Sequence, residues 1–214
     1  MNSKLDLFNN LDSIIFDLDG TLWDSTNEVL ISWNKALKNY EEIREYFTKE
    51  TIEGYMGTPM DKIFESFFHY LEADRIKEIQ DQCNNYELEY LKKHGGILYP
   101  NVENVLATLN EKYKLFIVSN CQNGYIETFL DFYGLQKYFI DYELSGRTNL
   151  PKGENIKLVI ERNNLNKPIY VGDTDGDSKA ARHAGIPFVY ARYGFGETND
   201  FDWAVDNVEE LIKL

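Results

Sequence analysis

Two carboxylates two residues apart, Asp17 and Asp19, follow directly on the apolar run Ser13-Ile14-Ile15-Phe16. Held that close at a strand end, they repel each other unless a cation or a proton intervenes. One carboxylate can attack phosphorus and form an acyl phosphate. The other, when protonated, can donate to the leaving oxygen. A second acidic cluster, Gly172-Asp173-Thr174-Asp175-Gly176-Asp177, follows the apolar run Pro168 to Val171. It opens like a calcium loop, but Ser178 stands where the sixth position needs glycine and Ala184 where the twelfth needs glutamate. It reads better as the other half of a metal site. Mg²⁺ suits such a site, because it takes oxygen ligands and keeps room for water and a phosphate. Asp177 also fits a helix N-cap, and the two roles are compatible.

Ser119 ends a third apolar run, Leu115 to Val118, and precedes Asn120. A hydroxyl and backbone amides there suit phosphoryl oxygens. Lys152, in a loop before a helical segment, can neutralise their charge. Each feature alone has an ordinary reading: a turn bonding its own backbone, a strand-end serine, a surface lysine. Three polar strand ends plus a lysine form a constellation. His69, His94 and His183 have no ligand spacing and read as surface or packing residues.

The elements that must position these groups alternate. Strands are expected at Ser13 to Phe16, Leu115 to Val118, Tyr138 to Leu144, Pro168 to Val171 and Pro187 to Tyr190. Helices are expected at Tyr125 to Phe132, Glu154 to Asn163, Lys179 to Ala184 and Val208 to Lys213. This predicts an α/β, Rossmann-like parallel sheet core with helices on both faces. Between the first strand and the rest lies a helical stretch without a convincing strand. Ser25 and Glu28 fit a capping box ahead of Val29, Leu30, Trp33 and Leu37. Thr58-Pro59 fits a helix start. A long helix from about Ala73 to Lys93 is expected to turn Ile76, Ile79, Cys83, Tyr86 and Tyr90 inward and to end at Gly95-Gly96. The expected division is a core of residues 1–24 and 96–214 and an inserted helical cap domain of residues 25–95. The cap would cover the carboxyl ends of the strands, where open α/β sheets bind ligands.

Composition narrows the partners. The 214 residues are 43% hydrophobic and 27% charged, as in a folded domain. A net charge of −14 disfavours nucleic acid and anionic membranes. Cys83 and Cys121 form no CxxC motif or disulfide framework and are expected to be reduced thiols. No window approaches the roughly 20 apolar residues of a membrane span. Residues 1–16 do not read as a signal peptide. A cytoplasmic protein is expected, as a monomer or homodimer.

The motifs Phe16-Asp17-Leu18-Asp19-Gly20-Thr21-Leu22, Ile117-Val118-Ser119-Asn120, Lys152 and Val171-Gly172-Asp173-Thr174-Asp175-Gly176-Asp177 resemble those of the haloacid dehalogenase-like hydrolase superfamily. The resemblance is to its phosphatase branch with a helical cap after the first strand, and it spans essentially the whole chain. It implies a Mg²⁺-dependent phosphomonoester hydrolase acting on a small phosphorylated metabolite through an aspartyl phosphate. Asp17 would be the nucleophile and Asp19 the acid and base. Mg²⁺ would be held by Asp17, the Asp19 carbonyl and Asp173, with Asp177 in support. Ser119, Asn120 and Lys152 would hold the phosphoryl group, and Gly57 and Thr58 in the cap would select substrate. Lys152 precedes Gly153 where many relatives have proline, leaving Lys157 as the alternative lysine. Relatives of this kind are often called phosphoglycolate phosphatases. A sugar-phosphate phosphomutase of the same fold is the alternative within the family. A phospho-aspartate signalling receiver fits the motif order poorly.

Overall fold

The computed structural model describes residues 10–214. Part of the segment considered as a possible leader, residues 1–9, lies outside the described residues. The described chain opens with β1 (Ser13–Phe16) and the short β2 (Trp23–Asp24). Four helices follow: α1 (Thr26–Leu37), α2 (Lys49–Tyr55), α3 (Met60–Phe67) and α4 (Ala73–His94). The chain returns through β3 (Ile97–Leu98), α5 (Val102–Asn110), β4 (Lys114–Ser119), α6 (Tyr125–Tyr133) and β5 (Phe139–Leu144). It continues through the single turn α7 (Ser145–Thr148), α8 (Lys152–Arg162), β6 (Pro168–Gly172) and α9 (Asp175–Ala184). It finishes with β7 (Phe188–Ala191), β8 (Trp203–Val205) and a 3-10 segment, Val208–Lys213.

Six strands form one parallel sheet in the order β5-β4-β1-β6-β7-β8. The placement of β1 matters most. It lies between β4 and β6, with Phe16 in register with Ile117 on one side and Val171 on the other. The residues that follow those three positions therefore emerge side by side at the carboxyl edge.

Strand alternation divides the core. Ile14 and Phe16 join Val105, Leu109, Ile126 and Phe129 on one face, whereas Ile15 joins Phe116, Tyr170, Ile156 and Val159 on the other. Both faces are covered by helices, which is why these strands read as unbroken apolar runs.

Helices α1 to α4 hold a separate apolar cluster containing Trp33, Phe47, Phe64, Phe68 and Ile79. The Trp33 ring lies 5.1 Å from both Phe47 and Phe64, and Phe47 stacks on Phe67 at 3.9 Å. The insert leaves and re-enters the core through an antiparallel ribbon that pairs Trp23 with Leu98 and Asp24 with Ile97. Trp23 is fully buried and meets Tyr125 and Phe129 edge-on.

Several local expectations differ from the structure. The β2–β3 ribbon and β8 went unforeseen, because strands of two or three residues show no period. Helix α3 starts at Met60 with Pro59 at the cap position, one residue later than the Thr58-Pro59 reading. The α4 stripe that is fully buried is Ile76, Ile79, Cys83, Glu87 and Leu91, with Tyr86 packing partly buried against the same cluster and Tyr90 outside it. Ser25 forms no capping box, since its hydroxyl is drawn elsewhere. Lys152 is the first residue of α8 rather than a loop residue. Cys83 and Cys121 are both free and buried. Among the described residues no helix is long and apolar enough to cross a membrane.

The aromatic cluster of the helical insert gives a direct check. Phe64 is fully buried, so Phe64→Ala is expected to destabilise the protein by about 3–5 kcal/mol in urea unfolding. A change below about 1 kcal/mol would show that the cluster does not hold these helices together.

Candidate active site

The strand ends assemble the site as the register demands. Asp17 follows β1, Ser119 closes β4 and Asp173 follows β6, and all three are buried. One carboxylate oxygen each from Asp17, Asp173 and Asp177 lie within 4.8 Å of one another. Gly20 permits this approach. Its φ is +79°, and a Cβ there would sit 2.1 Å from Asp173 Oδ2. Only glycine fits both the backbone conformation and the contact.

The three carboxylates differ in what they have left to offer. Asp177 is fully engaged. Its Oδ2 accepts from the Thr174 N–H at 3.0 Å and the Thr174 hydroxyl at 2.7 Å, and its Oδ1 accepts from Lys152 Nζ at 2.6 Å. Together with the Thr174 side chain it makes a complete capping box on α9. Asp173 Oδ2 accepts from the Phe195 N–H at 2.7 Å, while its Oδ1 is buried with no partner. Asp17 Oδ1 is likewise buried without a hydrogen bond of good geometry, although Lys152 Nζ stands 3.0 Å away. An unpartnered Asp173 oxygen beside the buried Asp17–Lys152 ion pair in one acidic cleft is what a divalent cation would satisfy. The donor set therefore fits Mg²⁺ on Asp17 and Asp173, with Asp177 positioning Lys152.

The electrostatics agree. Burial, reinforced by the charge of Asp177, pushes Asp17 up to about 7, against the pull of Lys152. Burial and the charges of Asp177 and Asp17 also raise Asp173 well above the usual carboxylate range. Burial by itself would lower the Lys152 pKa, but Asp17 and Asp177 more than reverse this and keep it charged. One buried lysine does not neutralise three buried carboxylates, so the cleft lacks positive charge.

Asp19 has different company. Its Oδ1 accepts from the Ser25 hydroxyl and the Tyr125 hydroxyl, both at 2.8 Å, and those hydroxyls lie 2.7 Å apart. Burial raises the Asp19 pKa, and these two bonds pull it back down. The carboxyl is thus held in place by one oxygen.

Asn120 lines the cleft with its side chain tied to neighbouring groups. Its amide donates to the Gly57 carbonyl at 2.8 Å, and its oxygen accepts from the Ser145 hydroxyl at 2.8 Å. Its backbone N–H and its second amide hydrogen remain to meet a phosphoryl group. The same bond brings Gly57 and Thr58 to the cleft, which they line together with Asp17, Asp19 and Ser119. Lys157 is on the surface with Glu154 and His183, so Lys152 is the lysine at the site. None of the three histidines lines the cleft.

Ser25, Tyr125, Gln122, Glu87 and the Phe195 N–H are site groups that the motifs do not single out. Glu87 left a trace: it falls on the apolar stripe of α4, where a carboxylate is out of place. Tyr125 left none, because an aromatic at a helix start is most simply a core residue.

Known proteins share both the motifs and the fold. Residues 14–191 match the sequence profile of the haloacid dehalogenase-like hydrolases. The chain belongs to that family. It is 28% identical over 216 residues to the phosphoglycolate phosphatase of Aquifex aeolicus, covering 94% of this chain and 95% of that one. A haloacid dehalogenase-like hydrolase, SP0104 of Streptococcus pneumoniae, superposes with a TM-score of 0.80 at 25% identity, over 95% of this chain and 97% of that one. A Haemophilus somnus structure described as a predicted phosphoglycolate phosphatase superposes with a TM-score of 0.84 at 24% identity, over 96% and 98% of the two chains. The family and the phosphatase branch are those the motifs led us to expect.

The raised carboxylates set a pH-dependent metal response. A carboxyl whose folded pKa exceeds its unfolded value retains a proton that the unfolded chain has released. For Asp17 the two values are about 7 and 3.8. Its stabilising contribution is therefore present below the unfolded value and lost as pH rises through about 7. A bound cation reverses that loss. Mg²⁺ is expected to raise the melting temperature of the protein, and to do so more at about pH 8 than at about pH 5.5. An equal shift at both pH values, or none, would show that these carboxylates are not the ligands.

Proposed function

We propose that this hydrolase is a Mg²⁺-dependent phosphomonoesterase that passes its phosphoryl group through Asp17. The observation that carries the reading is the unpartnered Asp173 oxygen beside the buried Asp17–Lys152 ion pair. Asp17, Asp173 and the Asp19 carbonyl would hold the cation, which when bound would draw charge off the phosphoryl oxygens and keep Asp17 ionised. Lys152 Nζ, fixed by Asp177, neutralises a further phosphoryl oxygen, and the Ser119 hydroxyl and Asn120 backbone bind the others.

The chemistry divides between two carboxyls. The Asp17 carboxylate attacks phosphorus as the bond from phosphorus to the alcohol oxygen breaks. Asp19 gives its proton to that departing oxygen, while Ser25 and Tyr125 keep it facing the bond. The same Asp19, now ionised, then takes a proton from water. The resulting hydroxide attacks the aspartyl phosphate, so Asp17 is released and inorganic phosphate forms. The helical insert, residues 25–95, serves as a cap on the core of residues 1–24 and 96–214 and excludes water during the first step. Gly57 and Thr58 lie where that cap meets the cleft. The names of the curated relatives make phosphoglycolate a substrate to test, and small phosphorylated metabolites in general the class.

Purified protein with Mg²⁺ is expected to release free phosphate from p-nitrophenyl phosphate. Asp17→Asn is expected to lower kcat by roughly 10³-fold or more without loss of folding, because a nucleophile acts in every turnover. Wild-type kcat in that variant would sink the mechanism. Conversion of hexose phosphates to isomers without free phosphate would favour the mutase reading instead.

A further inference from the structure

The cleft that Asp17, Asp19 and Ser119 line is a cavity of about 60 Å³ in all, and it extends from the phosphoryl end to the helical insert. This is where the organic part of a substrate must lie, given that its phosphoryl group sits at Asp17. The walls on the insert side are Val29, Trp33, Ile52, Met56, Met60 and Ile63, all apolar or aromatic. No Lys, Arg or His lines the cavity among the described residues. Lys152, the nearest cation, is bound to Asp17 and Asp177 at the phosphoryl end.

The polar groups of this region point the same way. Glu87, from α4, is only 2% exposed and accepts from the Trp33 indole N–H at 2.6 Å. The Gln122 side chain lies against the Glu87 carboxyl and favours its ionised form. Apart from the carboxylates at the phosphoryl end, the cavity thus presents apolar walls, the Glu87 carboxyl and the neutral polar side chains of Tyr55, Thr58, Asn120, Gln122 and Tyr125, none of them a cation. A substrate carboxylate placed there would leave water and find no counter-charge. Burying an unpaired charge is among the costliest changes a site can make. The acidic surface, with its net charge of −14, adds to the repulsion.

We propose that the leaving-group cavity accepts a small uncharged, mainly apolar alcohol and rejects one that carries a carboxylate, so that phosphoglycolate is a poor substrate. The inference rests on the phosphatase reading of the Asp17 site and adds the substrate class. The apolar walls set the selectivity: they favour an apolar alcohol, and neither Glu87 nor Gln122 supplies positive charge for an acid.

Isobutyl phosphate tests the idea, because its organic part matches that of phosphoglycolate in shape and heavy-atom number and lacks its charge. With Mg²⁺, kcat/KM for isobutyl phosphate is expected to exceed that for phosphoglycolate by about tenfold or more, on the order of what pocket mismatches produce. Met60→Lys, at a half-buried wall position, is expected to narrow or reverse that ratio by supplying the missing cation. A wild-type preference for phosphoglycolate, or a ratio that Met60→Lys leaves unmoved, overturns the proposal. If neither ester is hydrolysed, the phosphatase reading falls by itself, and calorimetric binding of the two esters still decides the cavity's selectivity. Tighter binding of isobutyl phosphate upholds it, and equal or weaker binding refutes it.

Discussion

The structure turns on one electrostatic constraint: buried carboxylates converge at the edge of the sheet with a single lysine among them. Asp17, Asp173 and Asp177 are each almost fully removed from water. Their mutual repulsion is not offset by Lys152, and burial together with the charge of Asp177 pushes Asp17 up to about 7. A fold tolerates such a cluster only when something further arrives to balance it. The constraint also explains the unequal treatment of the three. Asp177 spends both oxygens on Thr174 and Lys152, so it builds the site without facing it. Asp173 keeps an oxygen in reserve, and Asp17 pairs with Lys152.

The surrounding backbone serves that arrangement. A central β1 puts its end between β4 and β6, so no long loop is needed to bring the groups together. Gly20 lets the turn after Asp17 close onto Asp173, and the Phe195 N–H holds the second oxygen of Asp173 from the far side. The Ser25 and Tyr125 hydroxyls clamp Asp19 from the start of the insert and from α6. Rigid supports of this kind let positioning and charge do most of the chemical work.

Helical insert and sheet divide the remaining tasks. The sheet edge carries the charged groups, and the insert carries an apolar wall. They meet through the β2–β3 ribbon and through the bond from Asn120 to the Gly57 carbonyl. Gly57, with φ of +79°, turns that carbonyl toward the strand end. The cavity between the two parts takes its lining from both.

Much of this is legible in the amino-acid sequence. Unbroken apolar runs ending in Asp17, Ser119 and Asp173 announce buried parallel strands, since each such strand is covered on both faces and its polar residues can only appear where it ends. Helix periodicity and the Gly95 and Gly185 stops are likewise local properties of the chain. What the tertiary fold decided is everything that depends on a partner distant in sequence. Ser25 looks like a cap, but Asp19 and Tyr125 offer its hydroxyl stronger bonds. Asn120 looks like a phosphate ligand, but its side chain is taken by Gly57 and Ser145. Glu87 looks like one more charge on a long helix until Trp33, far from it in sequence, meets it in the interior. Local sequence sets backbone preference and the direction a side chain faces. Which atom finally claims a hydrogen bond depends on packing across the whole molecule.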